Sequence, residues 1–287
     1  MIKRLALLLI FTLAACTSPV EPQDSGVPVA AGWNQLNAAS KDALIAGSAE
    51  AAVDQSWWKN FSDPTLDALV NETLANSKTL QIAKARIEEA RASRGVSASA
   101  LFPSVDITAS AQRGNQGVLS NNKAISIAEV DAQASWELDL FGRNQARLAQ
   151  ANAILQSEEA SQQAVRVTLL ADVARNYFDL RNYERQIALT RENLATENET
   201  LKLIRAQFNG AEASNFDVQR AAAQVSTTEA MIPSLQTNYD AALNRLNVLL
   251  GHPPGTKDAL LKTPAPARAL SSRIVIAAPA RVLATRP

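Results

Sequence analysis

The chain has 287 residues, and its 28 basic and 28 acidic side chains cancel, which excludes bulk attraction to nucleic acid or to anionic lipid as the basis of its function. Aromatic residues make up only 5%, while Ala, Leu, Gln, Asn and Glu abound, a composition that suits long helices better than a compact core. The single histidine excludes a His-rich metal site, and it excludes a Ser/His/Asp arrangement unless His252 itself serves.

The N-terminus reads as an export signal over residues 1–15. Met1-Ile2-Lys3-Arg4 is its charged region, and Leu5 to Leu13 is too short an apolar run to span a bilayer. The only cysteine, Cys16, ends Leu13-Ala14-Ala15-Cys16, which resembles a bacterial lipobox. Acylation of its thiol and of the freed amine supplies the two anchors that stable membrane attachment needs. The alternative is an ordinary signal peptide that leaves Cys16 as a spare thiol, a liability in an oxidising compartment. Thr17 follows the cysteine, where an aspartate would suggest inner-membrane retention, and this points to the outer membrane. Residues 16–62 then read as a tether, with Pro19, Pro22, Gly26 and Pro28 favouring an extended chain at its start.

A periplasmic helix is expected over 63–100. Asp63 is its cap and Pro64 its first residue, while Leu66, Leu69, Thr73, Leu80, Ala83, Ile87 and Ala90 repeat on one face. Trp57 and Trp58, just before it, are read as packing residues.

From Ser104 the period changes to two. Val105, Ile107, Ala109 and Ala111 alternate with Asp106, Thr108, Ser110 and Gln112, and Ser104 to Arg113 is long enough to cross a bilayer as a tilted strand. Gly114 to Ala124 is turn-rich. The return strand alternates Val130, Ala132, Ala134, Trp136, Leu138 and Leu140 against Asp131, Gln133, Ser135, Glu137 and Asp139. Ile125 and Ile127 have the opposite parity, which predicts a bulge or the strand start near Ala128-Glu129. The pattern as a whole predicts a transmembrane β-hairpin over 104–141, with Asp106, Asp131, Glu137 and Asp139 facing a lumen and Trp136 in the interfacial aromatic belt. A soluble hairpin with one wet face fits the same alternation, but two strands between long helices have no sheet to join unless other copies supply one.

After Gly142 a helical pattern lasts to about Asn209 without proline or internal glycine. Val173, Leu180, Ile187, Leu194, Leu201 and Phe208 recur at seven-residue spacing, and Leu148, Leu155 and Leu169 extend the stripe upstream after a four-residue offset. Gly210 reads as the helix stop and Ser214 as the cap of a second helix, in which Val218, Val225, Ile232, Tyr239 and Leu246 hold one seam position and Ala221, Thr228, Leu235, Ala242 and Leu249 the other. Pro233 predicts a kink. Residues 142–250 thus form a long helical hairpin, and 251–287 a linker. His252, flanked by Gly251, Pro253, Pro254 and Gly255, is read as a solvated turn residue. No phosphate-binding glycine loop occurs, and Glu88-Glu89 and Glu158-Glu159 read as solvated helix faces. No cofactor or metal is expected, and no enzyme.

Several segments together carry a resemblance. Trp57-Trp58 with Phe61 to Leu69, Ala90-Arg91-Ala92 to Phe102-Pro103, the join Ala134 to Arg143, and Leu246-Asn247-Val248-Leu249-Leu250-Gly251 resemble the TolC-like outer-membrane efflux channels, the outer membrane factors of resistance-nodulation-division type systems. The resemblance implies a mainly α fold with a β-hairpin, in which a membrane strand runs directly into a long periplasmic helix of an α-barrel. It implies trimers embedded in outer-membrane lipid, a periplasmic adaptor that docks at the tip formed by Phe208, Gly210 and Ser214, and an inner-membrane pump. Subunits of that family usually carry two such halves, so the chain is expected to correspond to the N-terminal half only. The function expected is that of a channel subunit passing solutes from pump to exterior; the alternative is a periplasmic coiled-coil adaptor or a structural lipoprotein without a pore.

Overall fold

The computed structural model describes residues 28–30, 32–33, 45–48, 55–115, 124–263 and 274–286. The export signal, Cys16, most of the N-terminal segment expected to be a tether and the hairpin loop 116–123 lie outside the described residues. The chain divides into two units, one built from residues 1–53 and 273–285 and the other principally from 54–272.

In the larger unit a 3-10 turn, Trp57–Phe61, leads into α1, Pro64–Asn76. Asp63 caps α1 through Oδ1, which accepts from the backbone N–H groups of Thr65 at 2.9 Å and Leu66 at 3.2 Å, and proline at the first helical position loses no bond. The stretch expected to be one helix is two. Ser77, at φ −57° and ψ 124°, separates α1 from α2, Lys78–Ser99. The predicted face survives the break, because every one of Leu66, Leu69, Thr73, Leu80, Ala83, Ile87 and Ala90 is buried.

The strands β2, Ser104–Asn115, and β3, Ala124–Ser135, form the hairpin. The helix α3 then runs from Arg143 to Asn209, 67 residues and on the order of 100 Å. Its partner α4, Asn215–Leu249, returns alongside it. Pro233 does not interrupt α4, and Thr237 Oγ1 donates to the Pro233 carbonyl at 3.0 Å.

The core grips the middle of α3. Leu170, Val173, Tyr177, Leu180 and Ile187 pack with Trp58, Leu66, Leu69 and Val70 from one side and with Tyr239, Leu243, Leu246 and Leu250 from the other. Each fully buried leucine contributes about 1.5–3 kcal/mol. Trp58 is a packing residue, as its position suggested. Toward the tip the seam thins: Leu194, Val225 and Val218 are half-buried, and Phe208 is exposed.

A buried polar node crosses this core. Tyr177 Oη donates to Asp63 Oδ2 at 2.7 Å, tying α3 to the cap of α1. Arg181 stacks 5.3 Å over the Tyr177 ring and donates to Glu184 Oε2 at 2.8 Å and to the Thr263 carbonyl at 3.0 Å. Burial, with the hydrogen bond to Asp63, pushes the Tyr177 phenol up.

His252 corrects the expectation of a solvated turn. Its Nε2 lies 2.7 Å from Glu72 Oε1, and Lys257 Nζ lies 2.7 Å from the same oxygen, so the turn after α4 is locked onto α1. Burial alone would raise the Glu72 carboxyl, but the hydrogen bonds and charges of Lys257 and His252 outweigh it and hold it below the usual carboxylate range. Gly251, at φ +81°, is required here, because a Cβ would come within 2.6 Å of the Asn76 carbonyl oxygen. Fully buried Asn247 completes the lock, its Oδ1 accepting from Lys257 N at 2.8 Å and its Nδ2 donating to Asp258 Oδ1 at 3.2 Å.

The segment expected to be a linker also carries a short helix, α5, Asp258–Leu261. In the smaller unit, β1, Ile45–Ser48, pairs in parallel with β4, Ile274–Ala277, and α6, Pro279–Thr285, follows. Trp33 Nε1 donates to the Ala277 carbonyl at 2.9 Å. The segments read as tether and linker therefore contain a shared sheet.

Candidate functional site

The hairpin is a regular antiparallel ribbon, and its register sorts the side chains. Val105 faces Ala134, Ile107 faces Ala132, Ala109 faces Val130 and Ala111 faces Ala128, so one face is apolar along four successive pairs. The other carries Ser104 with Ser135, Asp106 with Gln133, Thr108 with Asp131 and Ser110 with Glu129. Both faces are open within the chain: Val105 is 66% exposed, Ile107 72% and Val130 74%. Two isolated strands with an uncovered apolar face are not a stable structure in water. The arrangement suits a surface meeting lipid on one side and water on the other.

The ladder is unbroken from Ser104 and Ser135 to Asn115 and Ala124, so the expected bulge near Ala128-Glu129 is absent. Ile125 and Ile127 belong to the same regular strand and share the polar face with Gln112.

The return strand is shorter than its alternation suggested. It ends at Ser135, because its partner starts only at Ser104, immediately after Pro103, which has no N–H to offer a ladder. Glu137 and Asp139 therefore lie beyond the strand, and both are engaged at the join to α3. Arg143 Nη2 donates to both carboxylate oxygens of Glu137 at 2.7 and 2.8 Å. Asp139 Oδ2 accepts from the Gln145 backbone N–H at 2.8 Å, satisfying a free donor in the first turn of α3 where an anion is favoured. Gly142 adopts φ 74°, the left-handed turn that converts one period into the other. Trp136 Nε1 donates to the Leu101 carbonyl at 3.2 Å, bracing the base of the hairpin. Of the four acids read as lumen-facing, Asp106 and Asp131 share the polar face, and Glu129 joins them there.

At the far end of α3 the tip is exposed. Phe208 is 43% exposed and Phe216 72%. Gly210 ends α3, its N–H donating to the Ala206 carbonyl at 3.0 Å, but the left-handed residue is Ala211 at φ 59° and not the glycine. Ser214 and Asp217 form a capping box: Ser214 Oγ accepts from Asp217 N at 3.2 Å and Asp217 Oδ2 accepts from Ser214 N at 3.0 Å. The hydrogen bonds from Ser214 hold the Asp217 carboxyl below its ordinary range. Among the described residues no group of three or more metal-ligating side chains comes together, and no helix is long and apolar enough to cross a membrane.

Residues 69–252 match the sequence profile of the family described as outer membrane efflux protein. The pyoverdine export outer membrane protein OpmQ of Pseudomonas aeruginosa is 30% identical over 250 residues, covering 84% of this chain and 51% of that protein. The probable outer membrane lipoprotein SilC of Salmonella typhimurium is 28% identical over 253 residues, 87% of this chain and 53% of its own. The solved structure of the outer-membrane channel OprN superimposes with a TM-score of 0.76 at 30% identity over 93% of this chain and 59% of that one. The chain thus spans about half the length of the curated relatives it matches. With a two-faced ribbon joined through Gly142 to a helix of 67 residues, and a family match that runs from α1 to the turn after α4, the chain belongs to the outer membrane efflux protein family.

Proposed function

We propose that this chain supplies one repeat of the wall of an outer-membrane export channel, its hairpin crossing the membrane and its helices forming part of a tube through the periplasm. The observation that carries this reading is the hairpin: one face is apolar and uncovered, the other is polar and acidic, and its return strand leads through a single turn into α3. Solutes pass along the polar face unaltered. Asp106, Asp131 and Glu129 give the lumen a mild cation preference. Within the family reading, Cys16 is the lipidated anchor, a reading supported by its lipobox and by the lipoprotein among the relatives. Assembly is by copies around an axis, trimeric where a subunit carries both repeats, and an inner-membrane pump acts through a periplasmic adaptor.

The adaptor docks at the tip, on Phe208, Gly210 and Ser214. A side chain is tolerated at Gly210, because an added Cβ would make only ordinary van der Waals contacts, with the Gln207 and Ala206 carbonyl oxygens at 3.5 and 3.7 Å. A Gly210→Trp substitution should therefore abolish site-specific crosslinking to the adaptor while the circular dichroism of the helices is unchanged. Undiminished crosslinking refutes docking at the tip. A coiled-coil adaptor is the weaker reading, since its paired helices are similar in length, whereas α3 has 67 residues and α4 has 35.

A further inference from the structure

The two faces of the hairpin exchange character at its loop end. Following Val105, Ile107, Ala109 and Ala111, the next residue on the apolar face is Arg113, paired with Ser126. On the polar face the corresponding pairs are Gln112 with Ile127 and Gly114 with Ile125. Because the ladder is unbroken, a bulge does not cause the exchange. It is a change of side-chain chemistry along a regular ribbon.

Its height identifies what the exchange marks. From Ser135, where β3 ends, to the step between Ala128 and Ser126 is about eight residues, or roughly 27 Å along a strand. At a tilt of about 40° that rises roughly 21 Å, close to the ~25 Å apolar band of an outer-membrane barrel. Arg113 stands one pair above that step, on the side that meets lipid. It is exposed, and its same-face neighbours are Ala111, Ala128 and Ser126, none of them acidic. The acids Asp106, Glu129 and Asp131 lie on the opposite face. Among the described pairs at this end, Gln112 with Ile127, Arg113 with Ser126 and Gly114 with Ile125, Arg113 carries the only charge, so the end is locally basic although the chain as a whole is neutral.

We propose that Arg113 binds a phosphorylated lipid headgroup of the outer leaflet. A guanidinium matches a phosphate with two parallel hydrogen bonds, and its aliphatic stem can lie along Ala111 at the edge of the hydrocarbon while the charged end reaches the headgroup. The proposal rests on the hairpin crossing the membrane, and its test separates the two ideas.

The full chain, carrying Cys16→Ala in every variant so that no acyl anchor masks the hairpin, is mixed with the second repeat as a separate chain and incubated with vesicles of phosphatidylcholine and with vesicles that also contain phosphatidic acid, and the bound fraction is measured by flotation. The wild type should prefer the phosphatidic acid vesicles. Arg113→Gln should lose about fivefold of that preference, the effect of one basic side chain at an anionic surface, and Arg113→Lys should retain most of it. An undiminished preference in Arg113→Gln, or none in the wild type, overturns the proposal. Ala109→Arg tests the spanning hairpin separately. Impaired binding of this variant to phosphatidylcholine supports the hairpin, whereas binding equal to the wild type refutes the spanning hairpin and the headgroup proposal with it.

Discussion

Ala109→Arg should prevent stable assembly in the outer membrane, whereas Ser110→Arg, one residue away, should not. Ala109 pairs with Val130 near the middle of the apolar face, about midway between Ser135 and the Ala128 to Ser126 step. A basic side chain at that depth on the lipid side costs roughly 2–4 kcal/mol. With tenfold for every 1.4 kcal/mol, that is on the order of 30-fold or more against the inserted form. Ser110 points the other way and faces Glu129, so a new guanidinium there meets water and an opposite charge. Ala134→Arg should fall between the two, because Ala134 lies one pair from the end of the ladder and the penalty declines toward the interface. Ser135→Arg should resemble Ser110→Arg. The measurement is the yield of heat-stable oligomer in outer-membrane fractions of cells that also supply the second repeat as a separate chain. Equal yields for all four variants would refute the spanning hairpin.

Much of this architecture could be read from local pattern, and the failures occurred where a distant partner decides. The buried face of α1 and α2, the limits of α3 and the capping box at Ser214 follow from spacing and cap chemistry that act within one or two turns. The break at Ser77 is invisible to such reasoning, because no glycine or proline marks it and the seven-residue step from Thr73 to Leu80 keeps the same face through it. β3 ends early because its partner starts after Pro103, although the alternation on its own strand continues through Trp136, Leu138 and Leu140. That cost two of the four acids read as lumen-facing: the requirements of α3 for a capping anion and of Arg143 for a partner took Asp139 and Glu137. β1 and β4 are four residues each and come from opposite ends of the chain, so neither has a local signal strong enough to stand out from coil. His252 looked solvated because its neighbours are loop formers, but Glu72 reaches it from a helix far away in sequence.

The largest effect concerns closure. The hairpin's two strands pair along their inner edges, and among the described residues the outer edges of β2 and β3 are free. In hydrocarbon every unpaired backbone group costs several kcal/mol, so two strands cannot stand alone in a membrane, and three copies would provide only half the strands of three subunits that carry both repeats. Six copies could supply them, and the heterologous pairing of β3 with the next copy's β2 keeps the apolar faces aligned if its register preserves the same parity. The helices oppose this solution. Six copies would also have to set α2 and the exposed flank of α3, including Ile82, Val96, Ile154 and Val167, against one another, in places filled by a second repeat in a subunit twice as long. The 287-residue chain alone should therefore give no stable conductance in planar bilayers, and it should fail to restore drug resistance to a strain lacking its own channel. Supplying the second repeat as a separate chain should recover both, because it offers matching edges for β2 and β3 and a matching surface for the helices. A conducting, heat-stable hexamer of this chain would overturn the expectation and show that one repeat is enough to close the wall.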